Sequence, residues 1–252
     1  MSVLYLAEQL NQLNRDFYQK IAESFSATRE QPWPGWEWLV DADRETLASA
    51  TVIADVGCGN GRFGNFIAPH LRQADKYIGF DTNPRLLQFA RNRVTNIFTT
   101  VSFQESDVFQ DDLEVMAGND VNIVAAFGIF HHLATTATRL RFLRSLSSIV
   151  GQNRSNSIWL STWQFTQNTP LLARAVTPAS IGMIASPDDE WTENDYILDW
   201  NRGGHAYRYC HLVTIEEMTH LCKGAGLAVI KTHQPESGSD KDNLYYLLKS
   251  GV

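Results

Sequence analysis

The chain has 252 residues, 44% of them hydrophobic and 19% charged, a balance that suits one well-cored domain and excludes a disordered polymer. Cys58, Cys210 and Cys222 are odd in number and form no disulfide framework. No apolar run approaches the roughly 20 residues that cross a bilayer, so the chain reads as cytoplasmic with no membrane partner. A net charge of −7 argues against a protein that grips nucleic-acid phosphates with its whole surface, because counterion release rewards a basic surplus.

Residues 1–49 read as an N-terminal helical segment. From residue 50 to 165 strand and helix alternate, which predicts a mostly parallel sheet covered on both faces. Thr51–Val56 is β-rich and ends in a glycine loop, and Asn65–Leu71 continues as helix. Tyr77–Phe80 is a second strand. After it, Thr82 or Asn83 can cap a helix with Pro84 in its first turn. Val101–Phe103 and Val121–Phe127 are the third and fourth strands. Leu140, Leu143, Leu146 and Val150 then fall at helical spacing, with Arg139, Arg141 and Arg144 expected to face outward as a small basic patch. Ser157–Thr162 is the fifth strand.

Residues 166–204 are rich in Asn, Thr, Pro and Asp without a sustained period, and read as an insertion or lid. Acids crowd there, at Asp188, Asp189, Glu190, Glu193, Asp195 and Asp199. Residues 205–252 supply the final helix and a hairpin. Thr214-Ile-Glu-Glu217 is a capping-box signature, and Leu227–Thr232 and Leu244–Lys249 form two strands joined by a turn-rich link. The expected fold is α/β: a doubly wound, mostly parallel seven-stranded sheet with a C-terminal antiparallel hairpin, in one domain.

The most specific local signal is Asp55-Val-Gly57-Cys-Gly59-Asn-Gly61 directly after a strand. Glycines let the backbone turn sharply and approach a ligand closely. Asp81, at the end of the next strand, is placed to accept from both hydroxyls of a ribose. Gly59-x-Gly61-x-x-Gly64 also matches the dinucleotide fingerprint. Three features favour S-adenosylmethionine over a dinucleotide. Asp55 suits a cationic amino-acid end better than a pyrophosphate, Asp107 is placed to accept from an adenine amino group, and dinucleotide dehydrogenases generally lack the terminal hairpin. Val108 and Phe127 complete the predicted cofactor-binding set.

These residues, with Phe130-His131-His132, resemble the class I S-adenosylmethionine-dependent methyltransferases. Tyr18-Gln-Lys-Ile21 through Phe25-Ser26-Ala-Thr28-Arg29 and Pro32-Trp33-Pro34 are similar to the opening of the tRNA wobble-uridine carboxymethyl methyltransferases, which include the methyltransferase part of the AlkB-homologue tRNA enzymes. Arg208-Tyr209-Cys210-His211 is similar to that family's Arg-Tyr-Tyr-His element, with Cys210 in place of a tyrosine. Leu244 stands where the family commonly has tryptophan, Gly151–Asn156 replaces an Arg-Pro-Gly-Gly turn, and residues 166–204 match nothing in it. The resemblance implies methyl esterification of a carboxymethyl group on wobble uridine, with tRNA as partner and a small zinc-binding activator protein as a second partner.

Esterifying a carboxylate needs little acid–base help, since the acceptor is already ionised at pH 7. The work is orientation, and no base, nucleophile or bound metal is expected. Arg29 is the candidate clamp for the anionic acceptor, because guanidinium grips carboxylate or phosphate with two parallel hydrogen bonds. Arg208 and His211 form a second candidate pair. One of His131 and His132, at the carboxyl edge of the sheet where ligands of open α/β folds bind, is placed to touch the acceptor, and we take His131 as that one. Trp33, Trp36 and Trp38 are candidates to stack on a base. Cys210, His211, His220 and Cys222 fit no standard zinc spacing. The alternative acceptor is a small-molecule or carrier-bound carboxylate or hydroxyl.

Overall fold

A computed structural model describes residues 5–73, 75–108, 111, 113, 118, 121–201 and 205–251. The first helix, α1 (Leu6–Ala27), buries Leu6, Leu10, Asn14, Phe17 and Ile21. That three-to-four-residue stripe is what seats a helix against a body. α2 (Pro34–Ala42) opens on a proline, where the missing N–H costs nothing, and buries Trp36 and Leu39. α3 (Arg44–Ser49) leads into the sheet.

The parallel strands are β1 (Val52–Val56), β2 (Lys76–Asp81), β3 (Thr100–Glu105), β4 (Ile123–Ala126) and β5 (Ser157–Trp163). Between them run α4 (Arg62–Ile67), α5 (Pro84–Val94) and α6 (Thr136–Val150). Two later strands, β9 (Leu227–His233) and β10 (Asn243–Ser250), follow the last helix, α7 (Ile215–Gly224). The sheet order is β3-β2-β1-β4-β5-β10-β9, with β10 antiparallel to both neighbours. The expected seven-stranded sheet and terminal hairpin are therefore present. Order reverses between β1 and β4, the switch point where such sheets open a crevice at their carboxyl ends.

Side chains alternate across the sheet, so each strand feeds two cores. Ala54, Val56, Ile78, Val124 and Leu160 pack with Phe142, Leu146, Met218 and Leu221 of α6 and α7. Ile53, Tyr77, Ile123, Ala125 and Trp159 pack with Trp36, Phe63, Ile67 and Ala90 on the opposite face. Because both faces are covered, β4 is buried along its whole length, which is why it reads as a continuous apolar run.

The lid is more ordered than its composition suggests. β6 (Ala175–Val176), β7 (Asp195–Trp200) and β8 (Ala206–His211) form a separate antiparallel sheet. A boundary at residue 204 therefore divides a strand pair, and Arg208-Tyr209-Cys210-His211 belongs to the lid's sheet. Asn, Thr and Asp hid the strands because alternation over five or six residues is a weak signal beside long turns.

Arg139 corrects a second expectation. It is buried, donates to the Leu133 carbonyl at 2.9 Å and pairs with Glu190 at 3.3 Å. Its Nε stands 2.8 Å from Glu217 Oε1. Of the three arginines only Arg141 and Arg144 are exposed, so the outward patch of three does not exist. The capping box is half made: Thr214 Oγ1 accepts from Glu217 N at 3.1 Å, while the Glu217 carboxylate turns to Arg139 and His211.

Candidate active site

The glycine loop takes its shape from positive φ at Gly57 (75°), Gly59 (53°) and Gly61 (76°). At Gly61 a Cβ would also stand 2.9 Å from the Ala90 backbone, so only glycine lets the loop lie on α5. Gly57 N and Cys58 N both donate to the Phe80 carbonyl, at 2.8 and 2.9 Å, stitching the loop to the end of β2. Asp81 then accepts from Gly59 N at 2.8 Å and from Asn83 N at 2.9 Å. Burial raises its carboxyl to about 6. Asn83 is the actual cap of α5, accepting from Arg85 N and Leu86 N.

Asp55 is almost fully buried at the end of β1 and accepts from the Tyr77 hydroxyl. Burial carries its carboxyl up to about 7, against the opposing pull of that hydrogen bond. Cys58 is buried, and desolvation moves its thiol well above the ordinary value, which suits a turn residue and not a nucleophile. Asp107 is engaged from above: Arg15 of α1 reaches its Oδ2 at 3.0 Å. Its neighbours Ser106 and Val108 line the cavity beside the loop, as does Phe127.

That cavity is about 1030 Å³, large for a single drug-sized ligand and enough for two side by side. Its far wall is aromatic and basic. The Arg208 guanidinium lies 4.5 Å from the Trp163 ring, 5.3 Å from Trp200 and 5.4 Å from Phe17. Beside it, His132 is fixed from both sides, by the Tyr18 hydroxyl at 2.9 Å and the Tyr209 carbonyl at 2.8 Å. Burial lowers its imidazole to about 3. His131 is also buried and pushed well below its ordinary value by desolvation, so both rings are neutral at pH 7. His131 Nδ1 has no partner, and its ring packs against Trp163. Of the pair, His131 is the one with hydrogen-bonding capacity left for a ligand.

Several sequence candidates are placed differently from their expected roles. His211 is not in the cavity wall. It is clamped between Asp195 at 2.7 Å and Glu217 at 3.0 Å, tying β7 and β8 to α7. These acids raise its imidazole, overcoming a larger opposing effect of burial. Trp36 is a core residue and Trp38 stacks on His233, so of the three N-terminal tryptophans only Trp33 keeps a half-exposed face on the cavity. Arg29 does line the cavity but stands over the glycine loop. Its carbonyl accepts from Asn60 Nδ2 at 3.1 Å, and its guanidinium stacks 5.2 Å from Phe25, the ring that faces Gly59. The cluster of histidine and cysteine that does converge is His131, His132 and Cys210, within 4.8 Å of one another.

Residues that sequence reasoning passed over include Arg15, Trp163 and Trp200. Trp163 was findable, since it is the last residue of β5 at the carboxyl edge. Arg15 and Trp200 carry no local signal, because helix docking and lid pairing place them.

The methyltransferase domain family matches residues 47–251. The chain belongs to that family. The cofactor of such a methyltransferase domain is S-adenosylmethionine. A protein of Encephalitozoon cuniculi named as a candidate methyltransferase is 24% identical over 92% of this chain and 93% of its own length. Two proteins named tRNA (carboxymethyluridine(34)-5-O)-methyltransferase are also similar. The one from Arabidopsis thaliana is 26% identical over 69% of this chain and 37% of its own. The one from Schizosaccharomyces pombe is 25% identical over 58% and 54%. The methyltransferase thus spans about half or less of those two relatives. Among solved structures, an S-adenosylmethionine-dependent methyltransferase from Clostridium acetobutylicum superposes with a TM-score of 0.66 at 10% identity, over 94% of this chain and 98% of that one. A Micromonospora echinaspora amino pentose methyltransferase gives 0.61 at 16%, over 91% and 97%. These likenesses show a shared class I fold. No described helix is long and apolar enough to cross a membrane.

Proposed function

We propose that the protein methylates a carboxylate, the carboxymethyl group of wobble uridine in tRNA, to give the methyl ester. The observation that carries this reading is Arg208, a guanidinium held among three aromatic rings beside a neutral His131 in the cavity that also contains the glycine loop. The relatives named for that reaction support it.

The residues fit the cofactor. Gly57, Gly59 and Gly61 would let the backbone approach it, Asp81 would accept from its ribose hydroxyls, and Asp55 would pair with its ammonium. Val108 and Phe127 would flank the base, and Asp107, held by Arg15, would stand beside them. When bound, S-adenosylmethionine supplies a sulfonium methyl that an ionised carboxylate takes by displacement, leaving a neutral thioether. No proton has to move, so neutral histidines and a protonated Cys58 are no obstacle. Arg208 orients the acceptor carboxylate with a planar fork that matches it. Trp163, Trp200 and Phe17 keep water from that carboxylate, which strengthens each contact it makes. His131 contributes its unpartnered Nδ1, and His132 keeps the floor of the site rigid.

A second reading, a small-molecule or carrier-bound carboxylate or hydroxyl, is favoured by one observation: burial of Arg139 removes a third of the basic patch that a tRNA ligand would use. Incubating the protein with S-adenosylmethionine and tRNA carrying carboxymethyluridine, followed by nucleoside mass spectrometry, separates the readings. The methyl ester of that nucleoside is expected, at low tRNA affinity unless an activator protein supplies basic surface. Methylation of free acids with none on tRNA would favour the second reading.

A further inference from the structure

A second arginine faces the cavity on a tryptophan. Arg62, directly after the glycine loop, lies 4.7 Å from the Trp33 ring and 5.0 Å from Trp36. Its Nη1 donates to the Gln31 carbonyl at 2.8 Å. Among the described residues it forms no ion pair, and its remaining nitrogens make no hydrogen bond. Stacking on a ring face fixes the plane of a guanidinium and leaves its edge available. The nearby buried acid, Asp240, accepts through one oxygen from Gly35 N at 2.9 Å and from the Tyr245 hydroxyl at 2.6 Å, and its other oxygen has no hydrogen-bond partner, so it offsets part of the positive charge.

Trp33 is itself held at the end of β4. A Cβ on Gly128 would meet the Trp33 ring at 3.4 Å. Gly128 follows β4, and its N–H donates to Ser161 of β5 at 3.2 Å. Trp163, under Arg208, ends β5. Two arginine–tryptophan pairs therefore bracket the carboxyl ends of the same two strands. With Arg29 nearby, the Arg62 wall is a concentration of positive charge in a partly desolvated place. Burial first, and Arg29 second, lower the Arg62 guanidinium to about 10. An arriving anion relieves both costs.

We propose that Arg62, presented by Trp33, is an oxyanion subsite for a phosphate next to the acceptor nucleoside, opposite the Arg208 subsite that holds its carboxylate. This rests on the reading of the acceptor as a nucleotide. An acceptor of that kind brings two anions, and the cavity presents two separated guanidinium edges.

The test uses the full chain saturated with S-adenosylhomocysteine and two probes, uridine and uridine 3′,5′-bisphosphate, titrated by calorimetry. The wild type is expected to bind the bisphosphate about ten- to a hundredfold tighter than uridine, the range for a charge-assisted pair of hydrogen bonds. Arg62→Gln is expected to abolish that preference, with uridine and S-adenosylhomocysteine affinities within about threefold of wild type. Arg62→Lys keeps the charge without the fork, guards against a misfolded variant, and is expected to retain part of the preference. Equal binding of the two probes by the wild type overturns the proposal. So does a loss of S-adenosylhomocysteine affinity in Arg62→Gln with the preference intact, which would give the arginine to the cofactor's own carboxylate. Arg62-dependent bisphosphate binding without methylation of carboxymethyluridine in tRNA would retain the subsite and remove the carboxymethyl acceptor.

Discussion

Asp55→Asn should make the protein more stable above pH 7 and no more stable near pH 4. In the fold this carboxyl is buried beside the Tyr77 hydroxyl and titrates at about 7, against 3.8 when solvated. A carboxyl raised in this way contributes most when protonated: the contribution is complete below about pH 4 and is lost as pH rises through about 7. Holding it ionised at pH 8 costs about 4 kcal/mol, at ~1.4 kcal/mol per decade of proton affinity. Asparagine removes that cost and keeps an oxygen for Tyr77, at a loss of about 1 kcal/mol for the weaker hydrogen bond. The net gain of about 3 kcal/mol corresponds to about 6–12 °C in melting temperature for a chain of this size. Differential scanning calorimetry of both proteins without cofactor from pH 4 to 8 measures it. A melting difference independent of pH would refute the reasoning, since it would mean that Asp55 titrates as a solvated acid. The same variant should bind S-adenosylmethionine less tightly, because the ammonium loses its counter-charge.

Asp81→Ala should abolish measurable S-adenosylmethionine binding by calorimetry, because it removes the acid we assign to the ribose and also releases Gly59 N, which Asp81 holds. Arg29→Ala is expected to weaken S-adenosylmethionine about tenfold, the loss of one charged hydrogen bond, because Arg29 stands over Gly59 and Asn60. A rise in acceptor KM with cofactor affinity unchanged would return it to the clamp role its sequence context implies. His211→Gln should lower stability by about 2 kcal/mol, the loss of charge-assisted hydrogen bonds to Asp195 and Glu217, without changing cofactor affinity. Since Asp195 and Glu217 raise the His211 imidazole, its contribution is complete below its unfolded value of about 6.5 and is lost as pH rises through the raised one. The penalty should therefore shrink at alkaline pH in melting curves. Binding of tRNA by the protein alone should be weak and fall with salt at a slope of about −0.9 per neutralised duplex phosphate; salt-independent binding would count against the tRNA reading.

What was legible in the sequence is what local chemistry determines. The glycine loop, the acid ending β2, the Asn83 cap and the alternation of β and α are each set by residues within a few positions of one another. They gave the sheet, its hairpin and the placement of Asp55, Asp81 and Phe127 around one cavity. Illegible were the features created by packing between distant segments. Arg139 sits at a helical position that looks solvent-facing, and only Glu190 and Glu217 from two other segments turn it inward. His211 looks like a site residue beside Arg208, yet an odd spacing along β8 sends the two to opposite faces. The crowd of lid acids looked like solvated surface. Several are anchors instead: Asp189 accepts from Leu6 N at 3.2 Å, and Glu190 from Thr136 N at 2.9 Å.

One face of α1 is keyed to parts of the chain made much later. Asn14 accepts from Tyr209 N, Gln9 exchanges hydrogen bonds with Ile184, and Lys20 donates to the His205 carbonyl, separations of 195, 175 and 185 residues. Closing loops of that length comes late in folding, because the entropy is lost before the contacts form. On the ribosome the Leu6 and Leu10 face of that helix, which packs with Ile197 and Tyr209, therefore stays uncovered until β8 has emerged. The roof of the cavity thus depends on strands encoded late, although its helix is encoded first. A nascent chain with β1 to β5 paired and α1 undocked would hold the glycine loop in shape and lack a closed acceptor site.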